Sequence, residues 1–474
     1  MRNRLALLPA NHPVARGARA LWRGRLWREV RQVLGSAVAI DEDFFAELLR
    51  RAAAAPSFAP EARRVLLVNA GLAAGGAERQ VVNTLLGLRR QGLESVCFLG
   101  EYLDQSPDRS FLLPALCGSG IEVAQVARRN RDDFPNHVRE IDNSVAEMLA
   151  LLPSDLAQDT ADLVAEFRMR RPEVVHAWQD ATSIKCGLAG IIAGVPRIVL
   201  SSRNVNPTNF AYHRSFMRPA YRALAARREI VMSNNSAAGA ADFCDWLDLP
   251  RQCYTIVRNG VAFDGLERDA AAGRALRQRE GIPLDAKVVG SIYRFWPEKR
   301  PLLWLESAFL LLDSQPGLHF LIAGDGPLRK QMTEAIEASP HAPAFHLIPP
   351  TLEIGPVLSA LDVFLLTSRF EGTPNVILEA QWLGLPVVAL NAGGVAEAVA
   401  PSGIVCDDES PQTVAADLRR VLDDPLWARR AYETAPRFVS ERFGLDRMIA
   451  ETMALYGYGT PCASAPPLPT RGEI

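Results

Sequence analysis

Lysine is nearly missing from this 474-residue chain: it occurs only at Lys185, Lys287, Lys299 and Lys330, and arginine supplies the other basic residues. A lysine inside a motif is therefore unlikely to stand there by chance. Charge of one sign is also lacking, with 52 basic against 54 acidic residues and a pI near 6.4. That balance excludes the general field that draws a protein to nucleic acid, so an anionic ligand must be held by a local site. The seven cysteines, Cys97, Cys117, Cys186, Cys244, Cys253, Cys406 and Cys462, include no C-x-x-C pair. Their scatter and odd number argue against zinc and a disulfide framework, and point to a reducing cytoplasm. No apolar run approaches the roughly 18 residues of a spanning helix, and the first residues lack the order of a secretory signal. The expected location is cytoplasmic, with a peripheral place on the inner face of the membrane as an extension of it.

What is present is length and apolar content. A chain that is 48% apolar and longer than the roughly 250–300 residues at which single cores stop growing is expected to form two domains. From Arg64 onward, β-branched runs alternate with helical stretches. Arg64–Asn69, Val174–Trp178 and Arg197–Ser202 read as strands of one parallel α/β unit. The pattern restarts near residue 262 with Lys287–Tyr293, His319–Ala323, Val363–Thr367 and Val387–Leu390. The expected fold class is α/β, with two Rossmann-like domains facing across a cleft and an N-terminal helical extension. The expected boundaries are 1–60 for a basic helical extension, 61–262 and 263–436 for the two domains, 437–457 for a helix returning to the first domain, and 458–474 for a disordered tail. The run Arg258-Asn-Gly-Val261 marks the hinge. In the extension, Trp22, Leu26, Trp27, Val30, Val33 and Leu34 share a helical face opposite Arg25, Arg28 and Arg31. Residues 14–35 thus read either as a helix on an anionic membrane surface or as one docked on the first domain.

Ligands of open α/β sheets bind outside the carboxyl ends of the strands. At one such end lies Tyr293-Arg-Phe-Trp-Pro-Glu-Lys299, whose Arg294 and Lys299 read as a metal-free clamp for a diphosphate, or as two solvated surface charges. Asp41-Glu42-Asp43 reads as an acidic helix start more readily than as a metal-ligand pair. The loop Gly71-Leu-Ala-Ala-Gly75-Gly76-Ala-Glu78 offers a helix N-terminus to an anion, and taken alone is a weak signal. In Ser368-Arg-Phe-Glu371-Gly-Thr-Pro-Asn375-Val-Ile-Leu-Glu379, a strand gives way to a turn and a helix that Asn375 is placed to cap. Glu371 on the turn suits sugar hydroxyls and Glu379 suits a ribose diol, while either alone reads as an ordinary helix-start acid.

Glu371 and Glu379 within Glu-Gly-x-Pro-Asn-Val-x-x-Glu-Ala, followed by Gly384-Leu-Pro-Val-Val388, resemble the signature of the retaining GT-B glycosyltransferases of glycosyltransferase family 4. Gly75-Gly-Ala-Glu78, Asn259-Gly-Val261, Arg294 with Lys299, Gly324-Asp-Gly-Pro327, and Gly393-Gly394 with Glu397 resemble further elements of that family, from about Arg64 to Tyr456. The resemblance implies a hexosyl transfer that retains anomeric configuration without a metal, from a UDP- or GDP-linked sugar that is substrate rather than cofactor. By the same resemblance Glu379 holds the ribose, and Glu371 with Gly372, Thr373, Pro374 and Asn375 holds the donor sugar. Arg294 and Lys299 hold the diphosphate, and Gly76 approaches it from the facing domain. A glycan or lipid-linked acceptor in bacterial surface polysaccharide synthesis is the implied partner. One departure is that Ser201-Ser-Arg-Asn204 stands where the family often carries a histidine, so Arg203, Asn204 and His176 are the acceptor-side candidates. Two other readings share the architecture, a nucleotide-sugar epimerase and a catalytically silent binding subunit.

Overall fold

The computed structural model describes residues 39–53, 58–128, 141–263 and 265–459. The stretch 14–35 and the tail from Thr460 lie outside them. Two parallel sheets organise the chain. The first runs in the order β3-β2-β1-β4-β5-β6-β7, with β1 Glu61–Asn69, β2 Val96–Gly100, β3 Glu122–Gln125, β4 Pro172–Trp178, β5 Arg197–Ser202, β6 Ile230–Asn234 and β7 Tyr254–Ile256. The second runs β10-β9-β8-β11-β12-β13, with β8 Val288–Ile292, β9 His319–Ala323, β10 Phe345–Ile348, β11 Val363–Leu366, β12 Val387–Leu390 and β13 Ile404–Cys406.

Both orders reverse direction between the first strand and the fourth, at β1/β4 and at β8/β11. Loops leaving such a reversal diverge to opposite faces and open a crevice, which is where doubly wound sheets place ligands. The glycine loop follows β1, Gln179 follows β4, the Arg294–Lys299 segment follows β8 and the Glu371 loop follows β11. Three sequence-marked segments, together with Gln179, which the sequence did not mark, thus leave the two switch points.

Each domain has its own core. In the C-terminal domain, Val288, Val289, Phe320, Leu321, Phe364, Leu365, Val387 and Val388 of the central strands are buried under Trp304, Leu311 and Leu418 of the flanking helices. The first sheet is covered on both faces. Helix Asp180–Ala193 is buried almost all round on one face, and helix Gly76–Arg90 packs Val81, Leu85 and Leu88 on the other. The helix Glu42–Ala52, capped by the Asp41 carboxylate accepting from the Phe44 N–H, buries Phe44, Phe45, Leu48 and Leu49 in this N-terminal core. The described part of the expected extension is therefore integral to the first domain, because its apolar stripe is too wide to face water.

The chain crosses between domains twice, side by side. Val261 donates its N–H to the Phe443 carbonyl at 2.8 Å and forms a parallel bridge with Gly444. Helix Pro425–Phe443 packs with the C-terminal domain through Val439 and Phe443. Gly444 then takes an extended ψ of 144°, and helix Leu445–Tyr456 buries Leu445, Met448, Ile449 and Leu455 against Val81, Leu85 and Leu88. The expected single returning helix from 437 is two helices, and the crossing falls at Gly444.

Candidate active site

The two loops at the β8/β11 switch are bolted together by their backbones. Thr367 Oγ1 donates to the Lys299 carbonyl at 3.1 Å, and the Arg369 N–H donates to the Glu298 carbonyl at 2.8 Å. Lys299 ends a 3-10 turn, Pro297–Lys299, and its ammonium is ion-paired with the Glu371 carboxylate. Arg294 is exposed on the same loop, with its guanidinium 5.7 Å from the Trp296 ring centroid. Glu371 is held by a glycine that no other residue can replace without a shift: Gly393 has a φ of +53°, and a Cβ there would lie 1.9 Å from the Glu371 carbonyl oxygen.

The segment Gly372–Asn375 faces the N-terminal domain directly. A Cβ on Gly372 would lie 2.4 Å from the Arg203 carbonyl oxygen, and Thr373 Oγ1 donates to the Asn235 carbonyl at 2.6 Å. Asn375 does not cap its helix, contrary to the sequence expectation. Pro374 holds the cap position without a side-chain bond. The Asn375 amide instead joins three elements, donating to the Gly76 carbonyl at 3.0 Å and accepting from Asn259 Nδ2 at 2.6 Å and Gln80 Nε2 at 3.2 Å. Gly76 therefore meets the Gly372–Asn375 segment across the cleft, and a Cβ on it would reach 3.3 Å from Asn375 Nδ2.

Glu379 lies on the first turns of helix Asn375–Trp382 and is buried. Its Oε1 pairs with Arg79 of the N-terminal domain at 2.7 Å, while its Oε2 is buried with no hydrogen-bond partner. Burial pushes its pKa up, and the Arg79 charge offsets part of that rise. Arg79 was not legible as functional, since it follows the glycine loop at an ordinary helix position. The only signal was its place next to Glu78. That carboxylate, also raised by burial, accepts from Gln179 Nε2 at 3.0 Å. Gln179 itself holds φ +68° and ψ 160°, a conformation that costs about 1–3 kcal/mol for a non-glycine residue and that gathers at functional sites.

The acceptor-side candidates separate. His176 sits mid-strand opposite Leu67, fully enclosed, with Nδ1 at 2.7 Å from Tyr456 Oη and Nε2 at 2.7 Å from Ser201 Oγ. Both ring nitrogens are engaged inside the domain, so it does not line the cleft; it anchors the last helix. Burial pushes its pKa down to about 3. A base whose folded pKa is depressed destabilises as pH falls below the unfolded value, because the unfolded chain binds the extra proton. Between pH 7 and pH 5.5, His176 should remove about 1 kcal/mol of stability. Urea unfolding at the two pH values should show that loss in the wild type and a smaller one in His176→Gln. Asn204 turns inward, its Oδ1 accepting from the Val205 N–H at 2.9 Å. Arg203 lies over the Trp178 ring at 4.2 Å and donates from Nη2 to Asn259 Oδ1 at 2.5 Å.

Residues 274–438 match the family described as Glycosyl transferases group 1. Over those residues the chain carries a glycosyltransferase group 1 domain. The curated relatives agree. The Vi polysaccharide biosynthesis protein VipC/TviE of Salmonella typhi is 28% identical over 407 residues, covering 81% of this chain and 70% of the relative. A D-inositol 3-phosphate glycosyltransferase of Thermobispora bispora is 27% identical over 372 residues, 72% and 86% of the two chains. The UDP-Gal:alpha-D-GlcNAc-diphosphoundecaprenol alpha-1,3-galactosyltransferase of Escherichia coli is 26% identical over 255 residues, 50% and 64%. Among solved structures, Anabaena HepE in complex with UDP and glucose superposes with a TM-score of 0.66 at 19% identity, covering 82% of this chain and 99% of that one. WaaG, a glycosyltransferase involved in lipopolysaccharide biosynthesis, does so at 0.60 and 16%, covering 82% and 99%. These two establish the GT-B fold of the chain. No helix among its described residues is long and apolar enough to cross a membrane.

Proposed function

We propose that this glycosyltransferase moves a hexosyl unit from a UDP- or GDP-linked donor to a glycan or lipid-linked acceptor of a bacterial surface polysaccharide, with retention and without a metal. The observation that carries the reading is the Lys299–Glu371 pair, set where the β8 and β11 loops meet and facing Gly76 through Asn375. Glycosyl transfer builds positive charge on the sugar and negative charge on the departing diphosphate. Lys299 and exposed Arg294 supply fixed cations for the second; the Glu371 carboxylate next to them suits the hydroxyls of the first. Glu379, with one buried oxygen lacking a partner, suits a ribose diol. The acceptor class follows the names of the Salmonella typhi and Escherichia coli relatives.

In this reading Glu371 positions the sugar, the leaving phosphate takes the acceptor proton on the same face, and the two cations lower the barrier to C–O cleavage. The test is calorimetry in excess chelator. UDP or GDP should bind the wild type, and Lys299→Ala should weaken that binding by about 1.5–3 kcal/mol, roughly 10- to 100-fold, the range for a lost charge-assisted contact. Binding that needs a divalent ion, or that ignores the substitution, would remove the metal-free clamp. A protein that binds donor yet transfers nothing to any glycan or lipid-linked acceptor would be a binding subunit instead.

A further inference from the structure

The charged side chains enclosed around the loop Gly372–Asn375 come in pairs. Lys299 faces Glu371, Arg79 faces Glu379, and Arg258 reaches Glu397 at 3.4 Å. Arg203 breaks the pattern. Its hydrogen bond goes to a neutral amide, Asn259 Oδ1, its Nε is shielded from solvent and donates to nothing, and no carboxylate pairs with it among the described residues. The indole of Trp178 at 4.2 Å gives it a partial partner. A guanidinium withdrawn from water without an anion is in an unfavourable state, and protein interiors keep such charges paired. Burial alone pushes its pKa down to about 9.

The position says where the missing anion comes from. The Arg203 carbonyl touches Gly372. The amide that holds its guanidinium, Asn259, donates onward to the Thr373 carbonyl at 2.8 Å and to Asn375 Oδ1 at 2.6 Å. One side chain thus separates the unpaired cation from the loop that receives the donor sugar in the reading above, on which the next step rests. We infer that Arg203 completes the donor site by binding an anionic group of the nucleotide sugar, a diphosphate oxygen or a carboxylate borne by the sugar. A guanidinium presents a planar fork that matches a two-oxygen anion, which a lysine or an imidazole does not.

The experiment measures binding to wild type, Arg203→Met, which keeps the length and loses the charge, and Arg203→Lys, which keeps the charge and loses the fork. The probes are UDP and GDP, then UDP-glucuronate against UDP-glucose and GDP-mannuronate against GDP-mannose, pairs that differ only in a carboxylate. If the anion is the diphosphate, Arg203→Met weakens UDP or GDP by about tenfold or more. If it is the sugar carboxylate, nucleoside diphosphates bind unchanged, the wild type prefers the uronate by about tenfold, and Arg203→Met abolishes that preference. Arg203→Lys, which preserves the buried charge, should show a smaller loss in the same column and serves if the methionine variant does not fold. Equal weakening of neutral and uronate donors with nucleoside diphosphates unchanged would mean that Arg203 only props Asn259. That result, or wild-type binding of every probe at an unchanged Tm, overturns the assignment. Lys299→Ala keeps the two questions apart: loss of nucleotide binding there, with neither nucleotide affinity nor any uronate preference changed in Arg203→Met, sinks this inference alone, while a wild type that binds no nucleotide sinks the donor site itself.

Discussion

Glu371→Gln should lower turnover by about 10³-fold or more, the scale for removing a charged group that acts in the transition state, while nucleoside diphosphate binding stays intact. Glutamine has the same shape, so the tight contact of Gly393 with the residue 371 carbonyl is kept, and the loop should fold as before. What disappears is the carboxylate that pairs with Lys299 and that the proposed mechanism sets against the sugar hydroxyls. Freed of that internal anion, Lys299 becomes more available to a diphosphate, so nucleotide affinity should rise by about threefold, a modest release of an ion pair. Nucleotide release assayed with donor and acceptor reads the first effect and calorimetry the second. Wild-type turnover would remove Glu371 from the chemistry, and a large loss of nucleotide affinity would show that it supports the phosphate site instead.

Glu397→Ala should loosen the molecule across its cleft. The carboxylate belongs to the C-terminal domain, yet its two oxygens accept from the backbone N–H groups of Ala237 and Ala238 at 3.0 and 2.8 Å. Those groups open helix Ala237–Leu247 of the other domain, where Ser236 Oγ caps the Gly239 N–H. An anion on a helix N-terminus gains from both unsatisfied donors and the helix dipole. Losing two charge-assisted bonds and stranding Arg258 should cost about 3–5 kcal/mol of the closed arrangement. Small-angle scattering should report a larger radius of gyration without donor, and weaker donor binding should accompany it. Glu397→Gln, which can still accept one N–H, should lie between. A radius unchanged from wild type would show that the contacts at Asn259 and Asn375 hold the domains together unaided.

The strands read from sequence were the long β-branched runs of the two sheet centres, Arg64–Asn69, Val174–Trp178 and Val363–Thr367 among them, because burial on both faces leaves a continuous apolar signal. Shorter strands such as β7 and β13 span three residues each and carry too little pattern to separate from loop. The meeting of Lys299 with Glu371 was legible because switch-point loops are local in sequence: each residue follows a strand directly. Three errors share one cause. Asn375 was expected to cap its own helix, His176 to be a candidate for the cleft, and helix Glu42–Ala52 to belong to the extension rather than to the first domain. In each case the partner lies far along the chain, at Gly76 and Asn259, at Tyr456, and in the core around Phe167 and Tyr221. Local propensity does not encode such contacts.

The crossing at Gly444 also sets an order of assembly during synthesis. The C-terminal domain is contiguous from Val261 to Phe443, whereas the first domain has one sheet face covered by Leu445, Met448, Ile449 and Leu455, residues made after the C-terminal domain. Domains usually mature in the order in which they are made. Here the first to emerge must keep an apolar face open until the second is finished, and His176 acquires its Tyr456 partner only at the end. The N-terminal half of the cleft thus closes its core only once helix Leu445–Tyr456 has been made.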